Sequence, residues 1–186
     1  MRIVGGRFKG RALKGPAADS RAIRPTSDRL REAVFNVLAH AYGDPCDGAR
    51  VLDLFAGTGA LGLEALSRGA RFCLFVDDGT EARACLRENV ETFGLGGQTK
   101  IFRRDATRLG PVHSLGLFDL VFADPPYGKG LGEKALASAR DGGWLAPGAL
   151  ILLEEAAETQ ISGLEGFEPL ETRVYGDTQL RVLRAG

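Results

Sequence analysis

The spacing of hydrophobic positions changes character at about residue 51. Beyond it, short apolar runs alternate with segments whose apolar residues recur every three or four positions. VLDLF (51–55), FCLFV (72–76), TKIFRR (99–104), LFDLVFA (117–123) and ALILLEE (149–155) have the length and composition of buried strands. The stretches between them predict helices over Ala60–Arg68, Thr80–Phe93 and Glu133–Arg140. Repeated strand–helix units predict an α/β fold with a mostly parallel sheet and helices on both faces. FEPLETRVYGDTQLRVLR closes the chain as two strands around a Gly-Asp turn. That antiparallel hairpin brings the predicted sheet to seven strands.

Before residue 51 the pattern is different. Ile3, Val4, Phe8 and Leu13 are interleaved with basic residues and glycines, which predicts a small hairpin of two short strands around RFKG. Pro16 and Pro25 mark breaks. In SDRLREAVFNVLAHA, residues Leu30, Val34, Val37, Leu38 and Ala41 fall on one helical face. Thr26 or Ser27 can cap that helix, and Asp28 complements its N-terminal dipole. YGDPCDG then reads as a linker, dividing the chain into an extension over 1–45 and a body over 46–186.

Charge sharpens this division. Formal net charge is zero, yet residues 1–31 hold nine basic and two acidic side chains, and the remainder holds fifteen and twenty-two. A basic arm on an acidic body predicts a polyanionic partner met by one face. Arg7, Lys9, Arg11, Arg24, Arg29 and Arg31 are the candidates for phosphate contact. For Arg29 and Arg31 the alternative is pairing with Asp28 or Glu32. No apolar run approaches the roughly 20 residues that span a membrane. The N-terminus has no signal-peptide core, and three cysteines without CxxC spacing read as reduced cytosolic thiols. His40 and His113 are isolated, so no metal site is expected. Nothing demands more than a monomer.

Candidate chemistry gathers at strand ends. DLFAGTGALG (53–62) contains Gly57-x-Gly59-x-x-Gly62 after a strand and at the opening of a helix. Glycines there permit a tight turn and close backbone approach to a ligand, and the helix start supplies N–H groups. Asp77, at the end of the second strand, suits a carboxylate on ribose hydroxyls, with Asp78 the alternative. Asp105 and Ala106 follow the third strand, where they can meet an adenine edge; Asp105 could equally be a cap. FADPPYG (122–128) ends the fourth strand in two prolines, which forbid further ladder bonding. They present Asp124 and Tyr127 rigidly where ligands bind open α/β sheets.

These residues carry a resemblance. VLDLFAGTGALGLEALSRGA followed by DPPY resembles the S-adenosylmethionine-dependent amino-methyltransferases of the Rossmann-like class I fold. GGRFKGRALK and RPTSDRLREAVFNVL narrow the likeness to the RsmD family, which methylates the exocyclic N2 of a guanine in 16S ribosomal RNA. The resemblance implies that Asp53 and the backbone of Phe55, Ala56, Gly57, Thr58 and Gly59 hold the methionine end of the cofactor. It places ribose on Asp77 and the adenine amino group on Asp105, with Thr26 and Arg24 near cofactor and substrate. The family commonly has Glu where Asp77 stands, so Asp77 and Asp78 both stay in play. S-adenosylhomocysteine would be the product, and the RNA partner would be 16S rRNA in the small subunit or an assembly intermediate.

In the chemistry so implied, Asp124 and the Pro125 carbonyl accept the N–H groups of a poorly nucleophilic aromatic amine, Pro126 stiffens the turn, and Tyr127 stacks on the base. The nearest rivals are DNA adenine-N6 and protein glutamine-N5 methylation. A nicotinamide-dependent reductase and a non-catalytic RNA-binding protein are further alternatives.

Overall fold

A computed structural model describes residues 1–20 and 26–186. Its sheet is built from β1 (Arg50–Leu54), β2 (Phe72–Val76), β3 (Thr99–Phe102), β4 (Phe118–Ala123), β5 (Leu145–Ala156), β6 (Phe167–Tyr175) and β7 (Thr178–Ala185). The order across the sheet is β3-β2-β1-β4-β5-β7-β6. The first five strands are parallel, while β7 runs antiparallel to β5 and β6 antiparallel to β7. Strand order reverses between β1 and β4, which is where open α/β sheets leave a crevice for ligands. Leu54 pairs with Ala123 on the last rung between these strands. The two following loops therefore leave the sheet side by side.

Strand side chains alternate between two cores, as the pleat requires. Val51, Cys73, Phe75, Leu120, Phe122 and Leu152 point to one face and pack beneath α1 (Asp28–Ala41), α2 (Ala60–Ser67) and α3 (Thr80–Thr92). Leu52, Leu54, Leu74, Val121, Ile151 and Leu153 point to the other, beneath α4 (Leu131–Asp141). Trp144 is fully buried there and donates its indole N–H to the Gly110 carbonyl at 2.7 Å. The expected seven strands and two helical faces are present. The boundaries that moved by more than one residue are the end of β3, at Phe102, the start of α4, at Leu131 rather than 133, and the start of β5, at Leu145 rather than 149.

The expected N-terminal strand pair takes another form. Residues 1–13 double back through Ile3 N–H to Arg11 and Leu13 N–H to Met1, but only Arg2 and Ala12 form a regular bridge. A 3-10 turn occupies Gly6–Phe8. The reason is competition for backbone donors. The N–H groups of Val4 and Gly5 each donate to the Glu64 carboxylate on α2 at 2.9 Å, and that of Phe8 to Ser67 Oγ at 3.0 Å. Gly6 lies so close to α2 that a Cβ would stand 2.0 Å from the Ser67 carbonyl oxygen. The arm is thus docked by its main chain, and Ile3 and Leu13 join the core under α1 and α2.

Candidate functional site

The glycine-rich turn forms as its sequence demands. Phe55, Gly57 and Gly59 have φ of 57°, 58° and 82°, so the chain turns through left-handed conformations before α2 begins. For Phe55 this is a strained state, of the kind that clusters at ligand sites. A Cβ on Gly59 would stand 2.2 Å from Leu86 of α3, and one on Gly62 2.4 Å from the Phe75 ring. Both glycines therefore allow α2 to lie close against its neighbours.

Side chains brace this turn from within. Asp53 is fully buried and accepts the Gly62 N–H at 3.0 Å. Burial, helped by the nearby charges of Asp124 and Asp77, pushes its carboxyl well above the usual carboxylate range. Asp77 accepts the Gly57 N–H at 2.9 Å through one oxygen and the Gly79 N–H at 2.8 Å through the other. Asn89 of α3 donates to the Thr58 carbonyl at 3.0 Å while pairing with both backbone groups of Lys14.

The Asp124–Gly128 loop is held from outside. Thr26, buried, donates its hydroxyl to Asp124 Oδ2 at 2.8 Å. Ser27 is the cap of α1, accepting the Leu30 N–H, so the choice between Thr26 and Ser27 resolves with Thr26 turned toward the acid. The Tyr127 hydroxyl lies 3.1 Å from that of Thr178, and the Gly128 N–H donates to Glu155 at 2.9 Å.

Both loops open into one cleft of about 410 Å³. Asp53, Phe55, Ala56, Gly57 and Thr58 line it from the glycine turn, and Asp124, Pro125, Pro126 and Tyr127 from the other loop, with Thr26 beside Asp124. Asp77 and Asp78 stand at one end. A second cavity of about 260 Å³ continues from there, sharing Phe55, Asp77, Asp78 and Pro126 and reaching Asp105 and Ala106. Asp105 accepts both the N–H and the hydroxyl of Thr107, bonds that hold its carboxyl below the usual carboxylate range. It therefore caps a 3-10 turn and borders the cavity at once. Asp77, Asp78 and Asp124 in one cleft favour a cationic ligand, and the open glycine turn suits an elongated one.

The basic candidates separate. Arg31 is fully buried, paired with Asp28 and with Glu64 at 3.4 Å, and donates to the Arg2 carbonyl at 2.8 Å. It pins α1 to the arm and to α2, and is removed from the candidates for phosphate contact because no polyanion can reach it. Arg29 is exposed beside the start of α1. Arg7, Lys9 and Arg11 are exposed, but Arg11 bonds the Thr92 carbonyl at the C-terminal end of α3 and stacks on Phe8 and Phe93. That end lies ten residues beyond the cleft-lining Ala82, roughly 15 Å down α3 at 1.5 Å per residue. Arg24 falls outside the described residues. Among the described residues no group of His, Cys, Asp or Glu is placed to hold a metal ion, and no helix is long and apolar enough to cross a membrane.

Comparison with known proteins agrees with this geometry. The family described as conserved hypothetical protein 95 matches residues 1–184. Ribosomal RNA small subunit methyltransferase D of Escherichia coli is 40% identical over 162 residues, covering 85% of this chain and 76% of that one. The chain belongs to this family, the RsmD family. The Haemophilus influenzae protein of the same name is 31% identical over 98% of this chain and 92% of its own length. The solved structure of Escherichia coli yhhF superposes with a TM-score of 0.82 at 31% identity, covering 100% of this chain and 97% of that one. A magnesium protoporphyrin IX methyltransferase from Synechocystis with bound SAM, 18% identical, shares the fold at a TM-score of 0.65 over 85% of this chain and 79% of its own. The chain is a class I methyltransferase in fold and family.

Sequence reasoning named most of the cleft but missed Glu155, Thr178 and Asn89, which hold its loops. No local motif marks them, because each acts on a segment remote in sequence.

Proposed function

We propose that this RsmD-family chain transfers a methyl group from S-adenosylmethionine to the exocyclic N2 of a guanine in 16S rRNA, acting as a cytoplasmic monomer on the small subunit or its assembly intermediate. The observation that carries the reading is the shared cleft, lined by both the Phe55–Thr58 turn and the Asp124–Tyr127 loop. When bound, the cofactor supplies a methyl group already activated by a sulfonium charge. The donor set fits such a group. Asp53 and the turn from Phe55 to Gly59 would hold the methionine end, and the aspartate-rich wall favours the positive charge. Asp78, with the remaining lone pairs of Asp77, would take the ribose, and Asp105 with Ala106 would meet the adenine.

The protein's part in the reaction is orientation and charge stabilisation. Asp124 and the Pro125 carbonyl each accept one N–H of the target amine, aiming its lone pair into the cleft and stabilising positive charge as it develops. Thr26 fixes the rotamer of Asp124. Tyr127 stacks on the extruded base, a contact worth about 1–3 kcal/mol by alanine substitution. Extrusion costs a few kcal/mol in the opposite direction, so phosphate contacts from the extension over residues 1–45 supply much of the affinity. Arg29 follows the cleft-lining Thr26 by three residues, whereas Arg11, on the same arm as Arg7 and Lys9, would touch RNA roughly 15 Å away along α3, which calls for an extended, folded substrate.

The test is to incubate the protein with undermethylated small subunits and labelled cofactor, digest the RNA, and locate the methyl group by mass spectrometry. N2-methylguanosine is expected. N6-methyladenine in DNA or a methylated glutamine would overturn the assigned acceptor, and absence of transfer with NADH bound in the cleft would overturn the enzyme class.

A further inference from the structure

The C-terminal hairpin is remote in sequence from the Asp124–Gly128 loop, yet it makes contact with it. Tyr127 and Thr178 share a hydrogen bond between hydroxyls at 3.1 Å, across 51 residues. Thr178 is buried and sits on the first rung of β7, paired on one side with Ala156 of β5 and on the other with Tyr175 of β6. Its backbone cannot drift. Ala157 N–H bonds the Asp177 carbonyl at 2.8 Å, and the buried Gln179 carboxamide donates to the Ala156 and Thr159 carbonyls at 2.9 and 2.7 Å. On the next rung, Glu155 faces Gln179 and accepts the Gly128 N–H. Consecutive loop residues are thus tied to consecutive rungs of the sheet.

A stacking side chain needs such a tie. Tyrosine has two soft torsions, and the prolines that stiffen residues 125 and 126 leave both open. The hydrogen bond to Thr178 fixes where the phenol oxygen lies and so narrows the angles the ring can take. We propose that Thr178 is a positioning residue, holding the Tyr127 ring in the plane that receives an extruded purine, and that the β6–β7 turn thereby belongs to the substrate side of the cleft. The inference rests on the reading that Tyr127 stacks on the methyl-accepting base.

The experiment measures methyl transfer to small-subunit RNA by wild type, T178V, T178S, Y127F and the T178V/Y127F double variant, with S-adenosylhomocysteine affinity measured in parallel. Valine keeps the shape and strand preference of threonine while removing its hydroxyl; serine keeps the hydroxyl. Both T178V and Y127F are expected to lower kcat/KM for RNA roughly three- to tenfold, the size of one net hydrogen bond. T178S should stay within about twofold of wild type, the double variant should be no worse than either single one, and cofactor affinity should not move. Wild-type kinetics in Y127F would overturn the proposal without any change to β7, so a poorly folded T178V cannot shelter it. Multiplying effects in the double variant would also overturn it, since Thr178 would then act by a route other than Tyr127. Absence of transfer by the wild type would instead refute the underlying function, a result the variants cannot mimic.

Discussion

The two loops that face each other across the cleft are stabilised in opposite ways. The glycine-rich turn is braced mostly by the strands and turn beside it: Asp53 reaches nine residues ahead to Gly62 and Asp77 twenty back to Gly57, with one longer reach, from Asn89 across 31 residues to the Thr58 carbonyl. The loop after β4 is braced from afar, by Thr26 across 98 residues, Thr178 across 51 and Glu155 across 27. A turn that must shape itself around a ligand needs few side chains beyond those that let it bend. A loop that must aim a carboxylate and a ring needs fixed points, and the sheet and the start of α1 provide them. On the proposed function, recognition of the cofactor rests mainly on nearby residues, while presentation of the acceptor depends on the assembled fold.

The sharpest way to break this contrast is to remove the aimed group. Asp124→Ala should cut methyl transfer by on the order of 10²–10³-fold, the loss typical of one preorganised electrostatic contact. S-adenosylhomocysteine binding, measured by calorimetry, should persist. Removing only the distant support tests whether aim matters as such. Thr26→Val takes a hydrogen bond from a carboxylate, and kcat should fall roughly ten- to hundredfold with cofactor affinity nearly unchanged. A fall in affinity with kcat intact would assign Thr26 to the cofactor instead.

The glycine turn should respond differently. Gly62→Ala pushes a methyl group into Phe75 and Cys73. Overpacking of that kind costs about 1–3 kcal/mol, so thermal melting should drop by roughly 3–10 °C and cofactor affinity should weaken. Asp53→Asn probes the cost of a buried carboxylate. Its raised folded pKa means that the folded chain still holds a proton where the unfolded chain has lost it, so stability falls as pH rises from the ordinary carboxylate range through the raised value. The variant escapes this loss. Its melting temperature should match wild type in acid and exceed it by a few degrees at neutral pH, while its cofactor binding declines. The smallest effect is expected furthest from the cleft: Lys9→Glu should lower RNA affinity modestly and reduce the salt slope by about 0.9 or less.

The same contrast explains what the sequence made legible. Asp53, Gly57, Gly59 and Asp124 could be named because glycine turns and proline-ended strands leave a mark on neighbouring residues. The centre of the sheet was readable because β1, β2, β4 and the second half of β5 are buried on both faces and so are almost uniformly apolar. Thr178, Glu155 and Asn89 left no mark, since a threonine at a strand start or an asparagine in a helix has many ordinary uses. Arg31 misled for a related reason. In sequence it belongs to a basic run; its pairing with Asp28 was an alternative open from the spacing, but the Glu64 contact from α2 was not. The arm was read as a strand pair because its alternation is real, but the Glu64 carboxylate outcompetes the ladder for the N–H groups of Val4 and Gly5.

That carboxylate has a consequence for how the chain is made. The arm's seat is made by Glu64, Ser67 and Asn89, which follow it in the chain, so the arm cannot dock until those residues have been synthesised. Until then its cations have no fixed arrangement, and the charged surface it finally presents is set as much by α2 and α3 as by its own residues.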